Sequence, residues 1–153
     1  MPLDREDRLV LNALQQGLTI TEEPYRELAG RVGLTEGDVL QRIHGLKERG
    51  LIRRIGATFD SQKLGFVSTL CALAVPSDRI SEVAAVVNGY PGVTHNYLRE
   101  HEYNMWFTLT AASEPELSRI LQEIVKKTGI NKMLNLPGIR TFKVNVKFNL
   151  SEV

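Results

Sequence analysis

The chain of 153 residues contains one cysteine, Cys71. No internal disulfide can form, and no thiolate metal site can be assembled. Cys71 lies inside the apolar run from Val67 to Val75, where a free cysteine packs as a small hydrophobe, so a buried structural thiol is expected. No apolar stretch approaches the ~20 residues needed to cross a bilayer. The start, MPLDREDRL, is charged and is followed by no apolar leader core. A cytoplasmic protein without a membrane partner is therefore expected. Charge of one sign is also missing. Lys and Arg number 19 against 18 Asp and Glu, which withholds the basic balance that accompanies nucleic-acid binding. Neither a G-x-G-x-x-G nor a P-loop is present, so no nucleotide cofactor is announced. A hydrophobic content of 42% excludes a disordered chain.

Two halves with different periods fill the chain. In the first, Asp4 can cap a helix whose apolar face is Leu9, Val10, Ala13 and Leu14, ending at Gly17. Pro24 suits the first turn of a second helix with Leu28 and Val32. Gly33 breaks it, Thr35 caps a third with Val39, Ile43 and Leu46 on one stripe, and Gly50 ends that. Ala29 permits close helix approach and Gly33 a tight turn, the helix-turn-helix arrangement. Leu51 to Phe59 reads as a short β-wing. A winged helix-turn-helix domain over residues 1–60 is the expectation.

From Phe66 the pattern changes. Val67 to Val75 reads as a strand, and Ile80, Val83, Ala84 and Val87 have helical spacing. Val93 to Arg99 and Asn104 to Thr110 read as two strands. Leu117, Ile120, Leu121 and Ile124 form a second helical stripe. Phe142, Val144, Val146 and Phe148 alternate with polar residues as a final strand. The class is α+β, and residues 61–153 follow the ferredoxin-like β-α-β-β-α-β order. One sheet face carries the helices and the other is open.

The combination resembles the Lrp/AsnC family across nearly the whole chain. Its marks are Leu3-Asp4 with Asp7-Arg8, Leu28-Ala29, Val32-Gly33-Leu34, Val39 with Arg42-Ile43 and Leu46, and Leu64-Gly65. Most members of that family are transcription regulators, so a regulator with a ligand- or heme-sensing domain is the alternative function. Charge argues against it. Residues 1–56 hold nine Lys/Arg and nine Asp/Glu, whereas DNA affinity comes largely from neutralised phosphates. The start of the third helix, which should meet the DNA, is Thr35-Glu36-Gly37-Asp38. DNA is not an expected partner.

The chemistry concentrates between His95 and Phe107, HNYLREHEYNMWF. Residues two apart on a strand share a face, which groups His95, Tyr97 and Arg99, with His101 at the strand end or turn. On the returning strand, Met105, Phe107 and Leu109 should face the helices, and Asn104 and Trp106 the open side. Two imidazoles, a guanidinium, a phenol, an amide and an indole on one face suit a large, planar, polyanionic ligand. They would also suit a polar subunit interface. Arg140, Lys143 and Lys147 near the last strand, and Arg53 and Arg54 in the wing, could hold carboxylates, arginine doing so in bidentate fashion.

The pattern H-N-Y-x-R-x-H-x-Y-N-x-W-F resembles that of the siroheme decarboxylases, Lrp-like proteins of the alternative heme pathway with relatives in heme d1 biosynthesis. Ile52-Arg53-Arg54-Ile55-Gly56-Ala57 and the stretch Leu136 to Lys143 are similar to the same group. The resemblance implies removal of the C12 and C18 acetate carboxylates of siroheme to give 12,18-didecarboxysiroheme. It also implies a homologous Lrp-like second subunit, a heterodimer. The tetrapyrrole can serve as electron sink, so no added cofactor or catalytic metal is expected, the iron belonging to the substrate. His95 or His101 would donate the proton, since imidazole titrates near neutral pH, or one of them would ligate the substrate iron. Arg99 would hold a carboxylate or stabilise developing charge. Tyr97 and Asn104 would orient the ring substituents, Trp106 would contact its face, and Arg53, Arg54, Arg140, Lys143 and Lys147 would bind its other carboxylates.

Overall fold

A computed structural model describes residues 2–143, 147, 148 and 150. They form two compact units, one of residues 2–57 with Lys143, Lys147, Phe148 and Leu150, the other of residues 58–142. The first boundary falls close to the expected 60, but the described residues beyond 142 group with the N-terminal unit.

The first unit is three helices: α1 (Arg5–Gln15), α2 (Pro24–Val32) and α3 (Glu36–Glu48). Asp4 caps α1, accepting the Asp7 N–H at 2.6 Å. Gly33 closes α2 with φ 71°, a left-handed conformation that glycine adopts without Cβ strain. Thr35 and Asp38 form a reciprocal capping box at the start of α3. Val10, Leu28, Val39, Ile43, Leu46 and Ile52 make the core. The expected wing is not formed, and no strand lies between Leu51 and Phe59. A strand needs a neighbour for its backbone groups, and this largely exposed segment pairs with none among the described residues. Phe148 is tied to α1 instead. Its N–H donates to the Gln15 Oε1 at 2.7 Å, and the Gln15 amide donates back to its carbonyl at 3.3 Å.

The second unit runs β1 (Val67–Leu73), a 3₁₀ turn (Ser77–Arg79), α4 (Ile80–Asn88), β2 (Val93–Leu98), β3 (Met105–Ala111), α5 (Glu114–Thr128) and β4 (Met133–Pro137). The sheet order is β2-β3-β1-β4 with every pairing antiparallel, the ferredoxin-like arrangement. Leu73, Met105, Phe107 and Leu109 pack against Val83 and Val87 of α4 and Leu117, Leu121 and Ile124 of α5.

The fourth strand lies earlier than the alternation at 142–148 indicates. Gly129, at φ 68°, ends α5 and turns the chain so that Met133 already pairs with Leu73. The free edge of β1 is then occupied. Phe142, Lys143, Lys147 and Phe148 are exposed and outside any strand, and Val144, Asn145 and Val146 of the expected strand lie outside the described residues. Pattern reading passes over β4 because its polarity is inverted. Asn135 sits on the helix side and accepts the buried Thr69 hydroxyl at 2.5 Å, while Leu134 and Leu136 sit on the open side. Among the described residues, no helix is long and apolar enough to cross a membrane.

Candidate active site

The open sheet face is defined by register. Met105, Phe107 and Leu109 of β3 are buried among the helices, so Trp106 and Thr108 point the other way. Tyr97 pairs with Trp106 and His95 with Thr108, which puts both on the open face. The His95 and Tyr97 rings lie 6.1 Å apart between centroids and nearly parallel at 20°. Just past β2, Arg99 places its guanidinium 5.6 Å from the centre of the Trp106 ring, a cation–π contact that holds the charge in place. The structure therefore brings together His95, Tyr97, Arg99 and Trp106. Behind them, Leu70 and Leu136, both more than two-fifths exposed, form an uncovered apolar band on the same face.

The turn from Arg99 to Asn104 is tied down at several points. Arg99 N–H donates to the Asn104 carbonyl at 2.7 Å. The Trp106 indole N–H donates to the Tyr103 carbonyl at 2.6 Å. Lys132 pairs with Glu102, and its ammonium lies 5.7 Å from the Tyr103 ring centre. That pairing holds the Glu102 carboxyl below its usual range. His101 is exposed in this turn. Its Nδ1 accepts the Tyr103 N–H at 3.0 Å, which leaves Nε2 as the atom open to solvent or ligand. His101 stacks on Tyr103 at 6.2 Å and makes no ring contact with His95.

Asn104 does not take up the expected ligand-facing role. It precedes β3, and its amide clasps the backbone of Val75 beyond the end of β1. The Val75 N–H donates to Oδ1 at 2.9 Å and Nδ2 donates to the Val75 carbonyl at 2.7 Å. Both halves of the side chain are taken up in joining the turn to the sheet.

The basic residues divide between units. Arg140 belongs with the sheet unit, exposed, its guanidinium 4.9 Å from the Phe142 ring centre. Arg53, Arg54, Lys143 and Lys147 are exposed residues of the N-terminal unit. In that unit Arg42 of α3 is engaged in ion pairs. Arg42 pairs with Asp4 at 2.7 Å, Asp7 at 2.8 Å and Glu6, and Arg49 pairs with the same nearly buried Asp7 at 3.2 Å. The Asp7 backbone N–H, with the Arg42 guanidinium, holds the Asp4 carboxyl below its usual range, and the Thr35 hydroxyl does the same for Asp38. The leading end of α3 thus presents carboxylates.

Comparison with known proteins identifies the family. Residues 63–143 match the AsnC-like ligand binding domain, and residues 7–53 match the siroheme decarboxylase NirDL-like HTH domain. The siroheme decarboxylase alpha subunit of Desulfovibrio desulfuricans is 51% identical over 148 residues, covering 97% of this chain and 85% of that one. The chain belongs to the siroheme decarboxylase family. The NirD subunit of Stutzerimonas stutzeri is 41% identical over 152 residues, with 99% of each chain covered. The crystal structure of the siroheme decarboxylase NirDL in co-complex with an iron-uroporphyrin III analogue superposes with a TM-score of 0.71 at 34% identity, covering 97% of this chain and 49% of that one. This siroheme decarboxylase family member thus spans about half the length of NirDL. Sequence reasoning gave no role to Thr94, Glu102 or Lys132, which contact residues in or beside the family's marked run. Glu102 and Lys132 meet only through the fold, and Thr94 contacts the adjacent His95 ring at a register shift that strand pairing creates.

Proposed function

We propose that the chain, paired with a homologous second subunit, removes the C12 and C18 acetate carboxylates of siroheme to give 12,18-didecarboxysiroheme. The observation that carries this reading is the open face on which His95, Tyr97 and Arg99 meet Trp106, beside a turn that presents His101. In each step the bond between the acetate methylene and its carboxylate breaks and CO₂ leaves. The electron pair stays on the methylene carbon, delocalised into the macrocycle, and a proton completes a methyl group. The step is redox-neutral, and the reading needs no cofactor beyond the substrate. Arg99, already oriented by Trp106, holds the carboxylate or balances developing charge without reorganising. His95 or His101 delivers the proton, and the Nε2 of either is equally suited to the substrate iron. Arg140, in the same unit as Arg99, holds a carboxylate that does not react, and Tyr97 contacts the ring.

A second subunit is supported by the subunit names of the relatives, by the double length of NirDL, and by the uncovered Leu70–Leu136 band. The test is incubation of the chain with siroheme, with and without a homologous partner, followed by mass analysis for loss of two CO₂. His95→Ala, Arg99→Ala and His101→Ala should each be assayed in the pair. Loss of the proton donor should slow turnover ~10²–10⁴-fold. Wild-type turnover in all three variants would refute the site.

A further inference from the structure

Alternation along β2 does not by itself put His95 on the open face. Val93 opposes Leu109 and packs against the core, so an unbroken strand would send His95, two residues on, to the helix side as well. The register changes between them. Val93 pairs with Leu109, but His95 pairs with Thr108, so two steps on β2 answer one step on β3. Thr94 is the extra residue, a β-bulge, and such bulges re-aim the side chain that follows. The inserted residue also holds the ring it re-aims, because Thr94 Oγ1 lies 3.0 Å from His95 Nδ1.

We infer that Thr94 is the positioning residue for His95: the bulge turns the imidazole onto the open face, and the hydroxyl holds Nδ1 so that Nε2 faces the substrate. The inference rests on the decarboxylase reading for its catalytic consequence, but not for its structural one. Among the described residues no Glu or Asp pairs with His95, and the ring beside it is Tyr97. The hydroxyl is thus the one hydrogen-bonding partner of the imidazole among the described residues.

Thr94→Val keeps the β-branched shape suited to a strand and removes the hydroxyl, and Thr94→Ser keeps the hydroxyl. In the full chain with its partner, Thr94→Val should lower kcat for siroheme about tenfold with KM changed less than twofold, and Thr94→Ser should restore most of kcat. In parallel, ¹⁵N NMR of the imidazoles should show one tautomer for His95 in the wild-type chain and in Thr94→Ser, and a mixture in Thr94→Val. A purely structural role would lower the thermal midpoint of Thr94→Val and leave kcat per folded enzyme and the His95 tautomer unchanged, and that result would overturn the inference. An unchanged tautomer overturns it even if the wild-type pair proves inactive on siroheme. Inactivity of the wild-type pair alone refutes the decarboxylase reading, and the NMR result then decides the role of Thr94 separately.

Discussion

Replacing Asn104 by alanine separates a structural clasp from a substrate contact. The side chain makes two hydrogen bonds to the backbone of Val75, at 2.9 and 2.7 Å, and Val75 is only 5% exposed. Alanine leaves a buried N–H and a buried carbonyl without partners. Each such loss costs about 1–3 kcal/mol. Asn104 itself is only half-buried, so water reaches part of the gap, and about 2–4 kcal/mol in all is the expected loss. For a chain of this size that corresponds to a fall in Tm on the order of 5–15 °C. Trp106 is the only tryptophan and lies on β3, two residues past the clasp, so its emission reports urea unfolding of the sheet unit directly. Asn104→Asp should be destabilised too, because a carboxylate accepts the Val75 N–H but cannot donate to the carbonyl. Its deficit relative to wild type should narrow below about pH 4, where a protonated carboxyl recovers the donor. If Asn104→Ala unfolds within ~0.5 kcal/mol of wild type while KM for siroheme rises, the clasp is energetically idle and the residue is a substrate contact after all.

Other outcomes follow from the same structure. A Cβ at Gly92 would sit 2.2 Å from the Thr110 carbonyl oxygen and 3.2 Å from Leu109 Cδ1. Gly92→Ala should therefore cost on the order of 2–3 kcal/mol in urea titration, and an unchanged midpoint would mean that β2 and β3 can separate there without cost. Cys71 is fully buried and burial pushes its thiol up to about 12. It should resist a disulfide reagent at neutral pH until the chain unfolds, and rapid native-state labelling would contradict that burial. Asp4 and Asp38 are held below the usual 3.8 in the folded chain. Their stabilisation is therefore complete above the unfolded value and is lost as pH falls through the folded ones. Helix signal from the N-terminal unit should drop below about pH 4, and Asp38→Asn should flatten that dependence. An identical acid slope in the variant would discount the capping box.

Much of the first half was legible because helix signals are local. The cap at Asp4, the break at Gly33 and the cap at Thr35 each depend on residues within one turn, and each is where its sequence context puts it. The 3.6-residue stripes of α4 and α5 were readable for the same reason. Strands were less so, because a strand is defined by its neighbour. The wing expected at Leu51 to Phe59 has no strand partner among the described residues, and the slot expected for residues 142–148 is taken by Met133–Pro137, whose Asn135 faces inward and whose leucines face out.

The candidate site divides along the same line. Composition and spacing alone determined that imidazole, guanidinium, phenol and indole crowd into one short run, and that this chemistry suits a flat polyanion. Which face they occupy was decided only in three dimensions. One inserted residue, Thr94, shifts the register of β2 and carries His95 across the sheet. An amide at Asn104, read as a ligand group, reaches instead to the backbone of Val75, just beyond the neighbouring strand β1. Both outcomes depend on backbone groups distant in sequence, and a one-residue shift in pairing reverses which side of a sheet a residue faces.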